Sequence, residues 1–407
     1  VLIKSCRLKS GDDELFDLRI NDETIVAIEP AKSVRLFDQP GEEIINASGA
    51  LLTSSLAEPH AHLDKAFLSE RIANPTGDLM GAINAMESHR NQITVADTIE
   101  RAERAVRLMV RNGVTAIRTH ADVTEWNSLD SVEALLEVRS RTKDIVDLQI
   151  CALLGWPLSG QDGKANLARG KAAIKLGVDL LGGCPHLDVD AVGANIALLE
   201  LASELGCGLD LHTDEHTDVN RISLEDLAER VIATGFSNSV TASHCVSLGM
   251  QNSETQKRIC EKVATANIGV VTLPHTNLFL QSRDKHTAPP RGLTAISALR
   301  AAGVRVAAGA DNLQDPFNPI GRGDPLESAA LLILAAHQLP NEAFAAVSST
   351  AKSVMGLSFS EIKIGGIADL MLTPVHSIRE AIATAEPRSM VMRRGKVTFS
   401  YLAQPKR

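Results

Sequence analysis

The sequence predicts an α/β protein: a (β/α)8 barrel of the TIM type carrying a small accessory β-sandwich domain formed from both chain ends. Three observations predict it. Between the ends, eight short apolar, β-rich runs alternate with longer segments of helical period. Most of these runs stop at polar residues, and the C-terminal ends of barrel strands are where such folds carry their chemistry. The two ends instead hold short strand-like pieces broken by turn formers.

In chain order, Val1 to Lys4, Asp17 to Ile20 and Thr24 to Ile28 read as antiparallel strands, the last following the turn at Asn21-Asp22. The barrel runs are Leu51 to Leu56, Val114 to Arg118, Leu148 to Leu154, Val178 to Gly182, Gly208 to Leu211, Ser239 to Ala242, Ile268 to Thr272 and Val304 to Ala308. Helical period marks Val95 to Arg111, Ser131 to Arg141, Ala165 to Leu176, Val189 to Leu205, Leu224 to Ala233, Glu254 to Thr265, Thr294 to Ala302 and Pro325 to His337. The strand-like pattern of the start returns at Ala368 to Leu372, Ser389 to Arg393 and Val397 to Tyr401. The expected domains are 1–52 plus 356–407 for the accessory sheet and 53–355 for the barrel. Eight strand-then-helix units suit a closed barrel better than an open doubly wound sheet, and no glycine-rich phosphate loop supports the latter.

A chain of 407 residues with 44% hydrophobic and 22% charged residues has material for a large core and lacks the signature of disorder. Its formal charge of -9 argues against binding a nucleic-acid backbone, which needs a concentrated basic surface. No apolar run is long enough to span a bilayer, and Val1 to Gly11 lacks the apolar centre of a signal peptide. The expectation is a cytoplasmic protein without nucleic-acid or membrane partners. Its six dispersed cysteines read as reduced thiols. The oligomeric state is open, and barrels of this kind form homo-oligomers.

The polar residues collect at strand ends. Strand one leads into Glu58-Pro59-His60-Ala61-His62-Leu63-Asp64-Lys65, strand two into His120 and Asp122, and strand four into His186. Strand five ends in His212-Thr213-Asp214-Glu215, strand six in His244, strand seven in His275 and strand eight in Asp311-Asn312. Seven of the twelve histidines fall at these ends, a concentration that points to a metal centre rather than scattered surface residues. His60 and His62 are two apart, so on an extended strand both imidazoles project to one side. His212 adds a third nitrogen and Asp311 a carboxylate, a mixed donor set that suits zinc or iron and leaves a position for water. Taken singly, a strand histidine is more often a core residue and an aspartate after a glycine more often a helix cap.

Together the segments EPHAHLD (58–64), RTHAD (118–122), Pro185-His186, DLHTDE (210–215), VTASH (240–244) and GADNLQDPFNPIG (309–321) resemble the metal-dependent amidohydrolase superfamily, and within it cytosine deaminase. The resemblance spans nearly the whole chain. It implies one divalent metal ion, zinc or iron, held by His60, His62, His212 and Asp311. Val178 to Pro185 contains no lysine to bridge two metals, which agrees with a mononuclear site. It further implies a hydrolytic deaminase releasing ammonia from a small amino-substituted nitrogen heterocycle. Water activated by the metal adds to a ring carbon while Glu215 shuttles a proton to the adjacent ring nitrogen, and a raised pKa would suit that task. His244 orients the water and Asp311 relays its proton. Lys65 receives no metal role and reads as a solvated or salt-bridged loop residue. His120, Asp122 and His275 divide evenly between supporting and purely structural roles.

Substrate contacts are expected from Gly155, Trp156, His186, Asn312 and Phe317, with support of neighbouring residues the cautious role for His186. Three departures make cytosine itself doubtful. Cytosine deaminase-like sequences carry a glutamine after strand three, where this chain reads Leu153-Leu154-Gly155-Trp156-Pro157. They carry a second aspartate beside the strand-eight ligand, where this chain has Asn312, and a tryptophan in the next loop, where it has Phe317. The asparagine also resembles s-triazine aminohydrolases, so cyclic-amide or N-alkylamine hydrolysis at the same metal is the alternative. A non-catalytic binding protein on this fold would have lost a ligand or the proton shuttle, and neither is lost.

Overall fold

A computed structural model describes residues 1–33 and 36–401. Eight parallel strands form the barrel, each hydrogen-bonded to its sequence neighbour: Leu56–Ala61, Val114–Val123, Asp147–Leu154, Leu180–Gly183, Gly208–Thr213, Val240–His244, Gly269–Thr272 and Val306–Ala308. The first and last strands close the ring through a parallel bridge between Ala61 and Asp311. Its hydrogen bonds run from His62 N to Asp311 O at 3.1 Å and from Asp311 N to His60 O at 3.0 Å. Closure therefore carries Asp311 to the side of the two strand-one histidines.

Helix Val95–Arg111 has the span its periodicity predicts, starting at Thr94, whose side chain accepts from Asp97 N. Its buried face, which includes Ala102, Ala105, Val106 and Met109, joins the main core between barrel and helices. Where the helices pack outside, the barrel interior is partly polar. Arg118 donates to Asp210 Oδ2 at 2.9 Å and to Thr241 at 3.1 Å, with both partners of the ion pair buried. Gly309 gives Glu58 room to link strands one and eight, since a Cβ there would stand 2.6 Å from Glu58 Oε1. That carboxylate accepts from the backbone N–H groups of His60 and Ala310, and burial pushes it up to about 8.

The run Leu51 to Leu56 is not one strand. Leu51–Ser54 pairs antiparallel with Leu370–Thr373 in a separate sheet, and the chain passes Ser55 before the barrel begins at Leu56. One apolar run thus serves two sheets, and composition alone carried no mark of the break. The separate sheet has eight strands drawn from Leu2–Ser54 and Leu370–Ser400. Ile3, Leu18, Ile25, Leu52, Leu370 and Met392 share one core with it, separate from that of the barrel. All six cysteines are free thiols. Among the described residues no helix is long and apolar enough to cross a membrane.

Candidate metal centre and active site

The strand ends turn abruptly at the rim. Asp214, His244, Cys245 and Asp311 all adopt left-handed backbone conformations, with φ of 49°, 68°, 48° and 65°. Such backbone in non-glycine residues costs of order 1 kcal/mol or more each and clusters at functional sites. The turns aim five side chains at one point. His60 Nε2 lies 3.3 Å and His62 Nε2 3.1 Å from His212 Nε2. Asp311 Oδ1 is 3.6 Å from His60 Nε2 and 3.2 Å from His62 Nε2. His244 faces the same point, its Nε2 3.9 Å from Asp311 Oδ2.

A tetrahedral ion bound at about 2.0–2.1 Å holds its ligand atoms about 3.3 Å apart, close to the spacings observed. The electrostatics suit a cation at this point. Asp311 presents both carboxylate oxygens buried without a well-formed hydrogen bond among the described residues, and His244 Nε2 is likewise unpartnered. An unpaired buried charge is expensive, and a divalent ion at this point removes the cost. Burial holds His60 and His212 well below the ordinary imidazole range, so both are neutral and free to ligate. For Asp311, burial acts upward but His62 and His244 outweigh it and keep the group below its usual value.

Neighbouring residues set the ring orientations. His60 Nδ1 is 2.9 Å from Ser243 Oγ, which donates to Asp210 Oδ1 at 3.0 Å. The donated Nδ1–H leaves the Nε2 lone pair directed at the centre. His244 Nδ1 is 3.0 Å from Asn277 Oδ1, which fixes its Nε2 in the same way. His120 lies beneath His60 with ring centroids 4.1 Å apart and does not reach the cavity. Asp210 sits two residues before His212 and Ser243 pairs with His212 across strands five and six, so period-two counting from His212 could have found the first.

Lys65 is not solvated. It is buried, and its Nζ lies 2.6 Å from Asp122 Oδ1, 3.4 Å from Asp64 Oδ1 and 3.2 Å from His62 Nδ1. Burial works against its charge, but Asp122 and Asp64 outweigh that and raise it. The salt-bridged half of the expectation holds, and Asp122 gains its role as that lysine's partner on the cavity wall.

Above the centre opens a cavity of about 640 Å³. Glu215 stands on its wall, buried, with Oε1 3.5 Å from His244 Nδ1 and Oε2 4.0 Å from His186 Nε2. Burial first, and Asp311 second, push its carboxyl well above the usual range. Gly155, Trp156, Asn312 and Phe317 line the cavity. Asn312 gives part of its donor capacity to Asp315 Oδ2 at 2.7 Å, leaving its carbonyl oxygen the freer group. His186 does not line the cavity: its Nδ1 is 3.0 Å from the carbonyl of His212, which braces the strand-five turn, while its Nε2 faces Glu215. His275 pairs with Glu327 at 3.3 Å, away from the cavity.

Part of the wall was not anticipated. Helix Leu79–Ser88, capped by Asp78 accepting from Gly81 N at 2.7 Å, supplies Leu79, Met80, Ile83 and Met86. It seats Ala85 and Met86 on Leu68 and Ile72, with Phe317 packed against them. Cys184 and Trp126 also line the space.

Residues 76–399 match the family described as the amidohydrolase family. The chain belongs to the amidohydrolase family. A pterin deaminase from Rhizobium rhizogenes is 34% identical over 348 residues, covering 84% of this chain and 79% of that protein. Among solved structures, this amidohydrolase resembles 5-methylcytosine deaminase from Klebsiella pneumoniae, with TM-score 0.89, 28% identity and coverage of 100% and 99% of the two chains. N-isopropylammelide isopropylaminohydrolase from Burkholderia multivorans gives TM-score 0.83 at 28% identity, covering 97% of each chain. The amidohydrolase is thus a hydrolase of C–N bonds, and its histidine and aspartate cluster is compatible with a divalent metal.

Proposed function

We infer that the protein is a metal-dependent deaminase that replaces an exocyclic amino group of a bicyclic, pterin-like nitrogen heterocycle with oxygen. The observation that carries the reading is Glu215, an acid of raised pKa on the wall of the cavity above the converging His60, His62, His212 and Asp311. Those four residues would hold one divalent ion, zinc or iron, which when bound makes a water molecule acidic enough to react near neutral pH. His244 is placed to orient that water through Nε2, because Asn277 occupies its other nitrogen. Asp311, through its oxygen facing His244, is placed to receive the water's proton.

Glu215 then serves the other end of the reaction. Protonating the ring nitrogen beside the attacked carbon makes that carbon electron-poor, and a carboxyl whose pKa is raised by burial is suited to give a proton there and regain it. Return of a proton to the departing nitrogen releases ammonia. A bicyclic substrate is favoured over cytosine by three facts: the 34% identical pterin deaminase, the cavity of about 640 Å³, and the absence of an amide at Gly155 where a pyrimidine edge would be read.

Alkylamine release is the competing chemistry, because N-isopropylammelide isopropylaminohydrolase shares the fold closely. The retained acid at Glu215 favours ammonia. The separating experiment offers the metal-loaded protein pterin and N-isopropylammelide and measures both leaving groups. At least about 100-fold greater kcat/KM for ammonia release from pterin is expected, nearly 3 kcal/mol of discrimination; preferential isopropylamine release would reverse the assignment.

A further inference from the structure

The proposed function leaves one question about the cavity open: which residue reads the acceptor atoms of the substrate, given that the loop after strand three offers Gly155 and Trp156 and no amide. Helix Lys164–Leu176, which follows that loop, places Arg169 on the cavity wall. Its guanidinium is half-buried and has no carboxylate partner among the described residues. It makes one side-chain hydrogen bond, from NH2 to Asn166 Oδ1, and its Nε is buried without any partner. Asn166 is itself buried and fixed, donating from Nδ2 to Pro157 O at 2.8 Å. The guanidinium is therefore held by a neighbour locked to the same loop that lacks the amide.

A guanidinium is a rigid fork of donors that matches two adjacent acceptor atoms, and an unpaired donor in a half-buried wall is costly until a ligand meets it. The other cation of the cavity, Lys65, is already neutralised by Asp64 and Asp122. Of the acids lining the cavity, Asp122 is paired with Lys65, Glu215 and Asp311 belong to the centre below, and Glu87, Glu125 and Asp162 are exposed, where solvent screens them. The chain's only two tryptophans, Trp126 and Trp156, line the same cavity, and flat aromatic surface of this kind stacks well on a fused heterocycle.

We propose that Arg169 is the specificity-determining residue of the cavity, binding a pair of adjacent acceptor atoms on the substrate. Two sources present that pair: the carbonyl oxygen and ring nitrogen along one edge of a pterin-like bicycle, or a carboxylate attached to it. The inference rests on the deaminase reading but is tested by binding, which that reading's failure would leave measurable. Because both tryptophans line the cavity, their fluorescence reports occupancy directly.

The experiment titrates metal-loaded wild type, Arg169→Met and Arg169→Lys with pterin and with pterin-6-carboxylate, following tryptophan quenching. Ammonia is assayed in parallel, so absence of turnover with normal binding would count against the deaminase reading alone. Loss of a charge-assisted bidentate contact weakens binding by about tenfold to a hundredfold. Weakening of both compounds in Arg169→Met assigns the ring edge; weakening of the carboxylate alone assigns the carboxylate. The lysine variant keeps the charge without the fork and is expected to recover only part of the affinity. Unchanged affinity for both compounds in Arg169→Met overturns the proposal, as does full affinity in the lysine variant. Should the methionine variant fail to fold, the lysine variant carries the same test.

Discussion

Glu215→Gln is expected to lower kcat by about 10²- to 10⁴-fold, the range of a lost general acid and base, while the protein still binds one metal ion per chain. The substitution keeps the size of the side chain and its ability to accept a hydrogen bond, and removes only the titratable proton. Burial and the neighbouring Asp311 raise the carboxyl well above its usual range, so it holds a proton more readily than an ordinary carboxylate. The nearest titratable neighbours are His244 at 3.5 Å and His186 at 4.0 Å, and burial lowers both imidazoles, which disfavours their cationic forms. Glutamine therefore meets no unpaired charge, and the fold should survive. Steady-state kinetics with metal analysis on the same preparation checks this: retained turnover in a metal-replete variant would remove Glu215 from the reaction.

Asp311→Asn is expected to fail one step earlier, at the metal. The variant leaves three imidazoles and no carboxylate to hold a divalent cation, and it loses the group placed to take the water's proton. Asparagine tolerates the left-handed backbone at φ 65°, so the closure of strand one against strand eight is expected to persist. After dialysis the metal content should drop well below one ion per chain, and turnover should drop by about 10³-fold or more, the several kcal/mol a metal contributes. Added metal should raise the melting temperature of the wild type and not of the variant, because only a ligand that binds the native state stabilises it. Full metal occupancy in Asp311→Asn would place the ion elsewhere.

The barrel was legible because its strands are bounded by changes of period, and because parallel strands buried on both faces leave apolar runs that can be counted. The site was legible for a related reason: strands run parallel, so every C-terminal end meets at one rim, and residues as distant as His60 and Asp311 become neighbours by topology alone. What the sequence concealed depends on tertiary contact. Leu51 to Leu56 is one apolar run, and only its pairing with Leu370–Thr373 divides it. Helix Leu79–Ser88 is short, and its burial comes from Leu68, Ile72 and Phe317 rather than from a strong pattern of its own; Asp78 as its cap was the available sign. Lys65 follows a ligand motif in sequence, and its partner Asp122 arrives from the second strand, which the local sequence does not show. Arg169 carries no motif at all, and its importance lies in the partner it lacks.

The most direct test of the account is ammonia release from pterin and from 5-methylcytosine by one preparation of the protein, stripped with a chelator and then reloaded with zinc or iron. The expected result is no ammonia from the stripped protein, restored release on adding either metal, and a higher kcat/KM for pterin. Ammonia produced equally by the stripped protein, or no ammonia from any aminoheterocycle with metal bound, would contradict it.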